Sequence, residues 1–375
     1  MQSAAQGYLL FELTHSAAYL GYVGFVSGLP TWLFTLIGGL VADRMPRRNL
    51  LVLIQVSMML PAFLLAGLTF SGLVQPWHIL VLAAFNGIAN AFDAPARQSF
   101  VIELVDDREH LTNAIALNSS MFNLGLVIGP ALGGLVYALA GPGWCFSING
   151  ISFLAVIAAL LAMRMKPFTP PPHKSNAWQD ILDGLRYVAG NDLVRLLIIS
   201  LAVAALFGFS LVTLVPAWAV NVLGGDERTN GLLLSARGVG ALIAALTLAS
   251  LGERGRRGKI WTLGSFALPL GMFAFALTKW QPLSLALMAL VGWGLLSMAI
   301  NLNALIQSRV PDELRGRVMG IYSLTFMGSL PIGSLLVGEI ASRWGEQNAV
   351  LFNAAVLLAF ALLVYWRQPV IRAIH

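Results

Sequence analysis

GGLVADRMPRRN, Gly38 to Asn49, places one acid and three arginines in a short turn that ends the long apolar run beginning at Ala17. The next run starts at once, as LLVLIQVSMMLPAFLLAGLTF from Leu50 to Phe70. It has none of the apolar and polar alternation of a transmembrane barrel strand, and it is about as long as the 20 residues a helix needs to cross a hydrocarbon core. In lipid only a helix or a closed barrel satisfies its own backbone, so these runs read as helices. With 58% hydrophobic and 11% charged residues in 375, the chain has too little polar surface to dissolve as a globule. The composition predicts an all-α integral membrane protein whose first partner is the lipid bilayer.

Apolar runs and loop signals predict spans near 17–42, 49–71, 77–101, 112–139, 142–164, 192–220, 229–252, 258–279, 281–306, 316–342 and 345–366. Residues 1–13, MQSAAQGYLLFEL, are apolar enough to join them. At 1.5 Å per residue they reach only about 20 Å, so they read as the second half of an incomplete first helix, with the chain starting inside it. All but four of the 23 lysines and arginines fall on the side of the Asp43 to Arg48 turn. Arg228, Lys279 and Arg343 fall on the other side, and Arg237 lies within a span. That asymmetry places the basic side, and with it the C-terminus, in the cytoplasm. Topology and anionic headgroups then account for the net charge of +6, and no nucleic-acid partner is expected.

The stretch MKPFTPPPHKSN, Met165 to Asn176, is the one long polar, proline-rich segment and lies near the middle of the chain. After it, Trp178, Ile181, Leu182, Leu185 and Val188 recur at helical spacing opposite Asp180, Asp183 and Arg186, which predicts an amphipathic helix along the inner membrane surface. The chain therefore divides into 1–164, a linker over 165–190 and 191–375. The two large parts echo each other. VDDREHLTNAIALNSSMFNLGLVIGPALGG from Val105 matches VPDELRGRVMGIYSLTFMGSLPIGSLLVG from Val310, aligning Gly129 with Gly333 and Gly134 with Gly338. DRMPRR in the first part has its counterpart in ERGRRGK, Glu253 to Lys259. Two matches in the same order around a central linker predict two six-helix repeats.

Gly39, Ala42, Asp43, Arg44, Arg47 and Arg48 resemble the G-x-L-A-D-R-x-G-R-R turn of the major facilitator superfamily, with Pro46 where the family has glycine. The resemblance implies two six-helix bundles related by a pseudo-two-fold axis, and a role for the turn as a cytoplasmic latch. A plain stop-transfer charge cluster would explain the arginines but not Asp43 and Gly39 in register. Gly125, Gly129, Pro130, Gly133 and Gly134 in GLVIGPALGG match the glycine and proline signature that exporters of this superfamily carry on their fifth helix. Small residues at such spacing let helices approach closely, and proline bends the span. The texture of AFDAPARQSFV and NAIALNSSMFN is similar to the branch of siderophore and macrolide exporters, although an arginine that this branch carries near Leu126 is absent. The branch implies proton-coupled efflux by a monomer in a bacterial inner membrane.

Polar groups inside lipid are costly and default to functional candidates. Asn86, Asn90, Asp93 and Arg97 share one face of the fourth predicted helix. Asp93 is expected to accept from a latch arginine, Arg47 first, or else to form a self-contained pair with Arg97. It is also the first choice for the proton-coupling carboxylate, ahead of Glu12, Glu103 and Glu339. Arg237 is read as a substrate or coupling residue, or as a guanidinium that snorkels or bonds backbone carbonyls. Asn118, Asn123, Asn301 and Asn303 are candidates for lining the central cavity or for helix-to-helix hydrogen bonds, and Phe122 and Phe326 for aromatic contacts or packing.

No Walker sequence, HExxH, cysteine pair or serine triad is present, and Cys145 is the only cysteine, so neither an enzyme, a cofactor nor a metal site is expected. Three readings stay open: an exporter of bulky amphipathic, siderophore-like or drug-like compounds, a nutrient symporter, and a non-transporting accessory protein. The symporter reading calls for a cavity dense in polar or cationic groups, and this chain offers one deep arginine.

Overall fold

The computed structural model describes residues 1–104, 108–163, 165, 177–251 and 257–367, and no strand occurs among them. The first half contains α1 (Gln2–Thr14), α2 (Ala17–Arg44), α3 (Arg47–Phe70), α4 (Pro76–Glu103), α5 (Arg108–Ala140) and α6 (Pro142–Ala162). The linker carries α7 (Ala177–Gly190). The second half contains α8 (Asp192–Val203), α9 (Leu211–Ala217), α10 (Glu227–Leu251), α11 (Arg257–Leu277), α12 (Gln281–Arg309), α13 (Asp312–Trp344) and α14 (Glu346–Arg367). Helices α8 and α9 form one span, Asp192–Val222, loosened by π-helical turns over Ala204–Phe209 and Trp218–Val222. Pro216, which has no N–H to give, sits between those turns. Among the described residues, eleven helical segments are long and apolar enough to cross a membrane.

The repeat is visible in the packing. In the first half α2 packs on α4, α3 on α4 and α3 on α6; in the second, α10 packs on α12, α11 on α12 and α11 on α14. The halves meet along two seams, α2 against α13 and α5 against α10, which are the same pair of elements exchanged between repeats. Each seam has a glycine-on-glycine crossing. A Cβ on Gly134 would lie 2.6 Å from the Glu227 carbonyl and 3.2 Å from the Gly231 Cα, and one on Gly338 would lie 2.7 Å from the Gly21 Cα. Only glycine permits backbones this close. The sequence alignment pairs Gly134 with Gly338, and here both do the same work in different seams.

Both crossings lie away from the Asp43 to Arg48 turn, near the end of the bundle that carries Glu12, Glu227, Glu339 and Glu346. We call this the acidic end and the other the basic end. Nearer the basic end, Gly39 on α2, Gly125 on α5, and Gly316 and Gly320 on α13 have no atom placed to meet an added Cβ. The glycine-on-glycine crossings thus belong to the acidic end; farther along, the seams stay in touch, with Gly238 of α10 against the Leu126 carbonyl of α5 and Trp32 Nε1 of α2 donating to the Leu324 carbonyl of α13 at 3.0 Å.

α7 departs from the expected flat seat on a membrane surface. Val188 is buried, Ile181 and Tyr187 pack on the core of the second half, and Gly184 lies against the Arg317 carbonyl of α13. Arg317 Nε donates to Asp180 at 2.8 Å and its Nη1 to Asp183 at 3.1 Å. The apolar face therefore meets protein, because the second half offers both a hydrophobic groove and, in Arg317, a cation at the right pitch. Leu185 remains exposed, and Trp178 lies outside the described side chains.

Candidate functional site

A cavity with two adjoining chambers lies beside α1 and α2, one chamber within the first half and the other between the halves. One, of about 390 Å³, is lined by Asn86 and Asn90 of α4, Gln2 and Gln6 of α1, Ser27 of α2 and Asn149 of α6. The other, of about 320 Å³, is lined by Arg237 of α10, Thr213 and Pro216 of α9, Gly125 and Pro130 of α5, and Ser3 of α1. Both reach Met1, Ser3, Gly7, Val23 and Gly24, so the two adjoin. One wall is rich in neutral amides; the other holds a cation.

Local structure explains the amide wall. Gln6 Nε2 donates to the Ile79 carbonyl of α4 at 3.5 Å, and Asn149 Nδ2 bonds Gln2 Oε1, so the amides of α1 are tied to α4 and α6 rather than loose in lipid. α2 approaches α4 closely, with Thr31 Oγ1 donating to the Gly87 carbonyl at 2.8 Å. This turns the Asn86 and Asn90 face inward. Gln2, Gln6, Ser27 and Asn149 were not anticipated from the sequence. The signal for Gln2 and Gln6 is their four-residue spacing in an otherwise apolar helix.

Arg237 is half-buried, and its Nε is buried without a hydrogen-bond partner. No backbone carbonyl and no carboxylate among the described residues bonds it. Of the two readings of this residue, the structure places its side chain at the cavity and provides none of the backbone bonds of the other.

At the basic end the expected pairing of Asp93 with Arg47 is not formed. Asp93 accepts from Arg97, whose Nε and Nη2 lie 3.1 and 2.9 Å from Oδ2, and from Gln55 Nε2 at 3.3 Å. Arg47 Nη1 reaches Glu103 instead, at 3.3 Å, and Arg48 Nη1 donates to the Met163 carbonyl at 3.0 Å. The reason is rotational: Asp93 and Arg97 stand one turn apart on one face of α4, whereas Arg47, first in α3, meets the last turn of α4 where Glu103 stands. Asp43 and Arg44 are exposed at the end of α2, and Gly39 faces open space.

The glycine and proline signature splits by position. Pro130 and Gly134 face α10, where a Cβ on Gly231 would lie 2.6 Å from the Pro130 carbonyl. Gly129 and Gly133 face Met1 of α1, and Gly125 meets nothing. The remaining asparagines disperse. Asn301 does not line the cavity: it is buried in α12, where Nδ2 donates to the Ser297 carbonyl at 2.8 Å, so its own helix satisfies it. Asn303 accepts from Gln307 and lines a separate hollow at the basic end with Arg315. Asn118 is half-buried on α5, Phe122 is 69% exposed, and Asn123 lies outside the described side chains. Phe326 packs edge-on against Phe209, with ring centroids 5.1 Å apart.

The acidic end carries a contact that no sequence pattern announced. Tyr22 Oη of α2 donates to Glu339 Oε1 of α13 at 2.8 Å, directly beside the Gly21 and Gly338 crossing. Within the first half, Tyr137 of α5 donates to Glu12 of α1, and Tyr8 packs edge-on against Tyr137, with centroids 5.2 Å apart.

This arrangement has known counterparts. The chain is 26% identical to the staphyloferrin A transporter of Staphylococcus aureus over 361 residues, 95% of this chain and 89% of that one. It is 27% identical to the enterobactin exporter EntS of Shigella boydii over 374 residues, 94% of this chain and 84% of that one. Its fold is shared with a single-site variant of the nucleoside transporter NupG, with a TM-score of 0.79, 14% identity and coverage of 97% and 94%. It is shared too with a bacterial homolog of the human lysosomal transporter Spinster in an inward-facing, unoccupied conformation, with a TM-score of 0.75, 14% identity and the same coverage. A cavity between two repeats and a match to the family described as transmembrane secretion effector over residues 1–373 agree: the chain is a membrane transporter of that family, within the major facilitator superfamily.

Proposed function

We propose that this transporter is a secondary active exporter that moves bulky amphipathic, siderophore-like compounds out of the cytoplasm in exchange for protons. The observation that carries the reading is the cavity itself, closed off at the acidic end by the two glycine-on-glycine crossings of the seams. With the basic end and the C-terminus in the cytoplasm of a bacterial inner membrane, this is the state that loads substrate from inside. The relatives named as a staphyloferrin A transporter and an enterobactin exporter support the substrate class. One six-plus-six bundle encloses the whole cavity, so a monomer suffices.

Protons are the coupling ion in this reading and Asp93 is assigned the coupling role, because its carboxylate holds Arg97 of its own helix and Gln55 of α3 at once. Loss of its charge releases Arg97 and Gln55 together, which links protonation to the position of α3 and α4. Inside-out vesicles with an acidified lumen are expected to accumulate substrate, and right-side-out vesicles are not. Asp93→Asn is expected to abolish proton-driven accumulation while substrate binding persists. Flux that survives collapse of the proton gradient but follows sodium would overturn the coupling.

A further inference from the structure

We propose that Arg237 is the anion-recognition residue of the cavity, and that this transporter accordingly selects negatively charged substrates over cationic ones of the same size and greasiness. A guanidinium within a span is expensive unless paired. Other arginines near the bundle ends have such partners: Arg47 with Glu103, Arg97 with Asp93, Arg317 with Asp180 and Asp183. Arg237 has none among the described residues, although it stands ten residues into α10, about 15 Å along the helix at 1.5 Å per residue.

What surrounds it is shaped for a ligand group. The Arg237 chamber includes Thr213, Ser3 and the terminal residue Met1, and the rest of its lining is apolar, with residues such as Leu126, Val212 and Leu234. An anionic oxygen there would gain charge-assisted, bidentate contact in a setting of low dielectric, and a cation would meet uncompensated repulsion. The neighbouring amide chamber contains no charged side chain, so it tolerates neutral hydrogen-bonding groups of either kind; the Met1 α-amino group reaches both chambers, so substitution at Arg237 is what isolates the guanidinium's share of the charge preference. The predicted substrate therefore has at least one carboxylate or comparable anion at one end and amide or hydroxyl groups at the other.

This inference rests on the cavity being the export path, and the test separates the two. Carboxyfluorescein and rhodamine 6G share a xanthene skeleton and differ in charge sign. Binding of each to the full chain in lipid nanodiscs is read by fluorescence anisotropy, and uptake of each by inside-out vesicles is read in parallel. The wild type is expected to bind the anionic dye at least tenfold more tightly than the cationic one. Arg237→Met removes the preference, Arg237→Lys keeps part of it, and Arg237→Glu reverses it. Arg237→Lys guards against a folding defect, since it preserves charge and stem. An anion-to-cation ratio unchanged in Arg237→Met, or no binding of the anionic dye by the wild type, overturns the inference. Arg237-dependent binding without uptake leaves it standing and removes the export reading. Uptake indifferent to charge and to Arg237 does the opposite.

Discussion

The two ends of the bundle hold themselves together differently. At the acidic end the contacts cross between halves: Gly134 meets Gly231, Gly21 meets Gly338, and Tyr22 donates to Glu339. At the basic end every ion pair among the described residues stays within one half or between the linker and the second half. Arg47 pairs with Glu103 on the first half, and Arg315 with Asp312 on the second. Charged side chains left without partners there would destabilise it, whereas these are already satisfied. Pairing charges across the halves at the basic end thus requires exchange of existing partners, while opening the acidic end requires loss of packing. A mutation in either place shifts the same equilibrium, but through different chemistry.

Gly134→Val is the strongest way to break this contrast. Its side chain enters space occupied by the Glu227 carbonyl and the Gly231 backbone, and overpacking of this kind costs about 1–3 kcal/mol, a roughly ten- to hundredfold shift away from the sealed acidic end. Accessibility of a cysteine at Asn86 to an impermeant thiol reagent from the acidic side should rise by that factor, read in a Cys145→Ser background. Gly125→Ala, in the same motif but facing no atom, should leave labelling unchanged. Equal effects of the two would mean that the motif bends its helix rather than packing it.

A smaller change tests the polar half of the acidic end. Tyr22→Phe removes one hydroxyl bonded to a carboxylate and keeps the ring. A hydrogen bond to a charged group contributes about 1.5–3 kcal/mol when protected, and less here because Glu339 is partly exposed, so a severalfold rise in the same labelling is expected. Glu339→Gln added to Tyr22→Phe should bring little more. Independent, additive increments would show that the two residues do not act as one contact.

The smallest effect concerns Asp226, which caps α10: Oδ1 accepts from Thr229 N at 3.0 Å and from Thr229 Oγ1 at 3.1 Å. Burial alone would raise its pKa, but these bonds and Arg228 outweigh it and hold the carboxyl below its ordinary value. A depressed acid stabilises the fold above the unfolded value of about 3.9 and loses that contribution as pH falls through the folded one. Asp226→Ala should therefore cost at most about 1 kcal/mol at pH 7, given its exposure, and thermal melting should show the gap from wild type narrow as pH falls below about 3.9.

How far the sequence carried the reading depends on dimension. Spans, the latch turn and the repeat are one-dimensional patterns of hydropathy and spacing, and eleven spanning helices stand close to where those patterns put them. The choice of Glu103 over Asp93 for Arg47 depends on how α3 is rotated against α4, and no single-helix pattern encodes that. Asn301 was open between lining the cavity and bonding a helix, and in the structure a carbonyl of its own helix satisfies it. Tyr22 and Glu339 are 317 positions apart, and nothing local marks either as a partner. Gly21, Gly24 and Gly28 in GYVGFVSG did carry a readable signal for close packing, and α2 uses all three against α13.

The pairing of Arg317 with both Asp180 and Asp183 has a mechanical consequence. With Gly184 seated on the α13 backbone as well, α7 is fastened to one side of the machine only, so it travels as freight with the second half whenever the two halves rock. A dye carried at exposed Leu185 would then keep a constant distance to α13 and a changing one to α2, and so measure the stroke of the transporter from outside its substrate path.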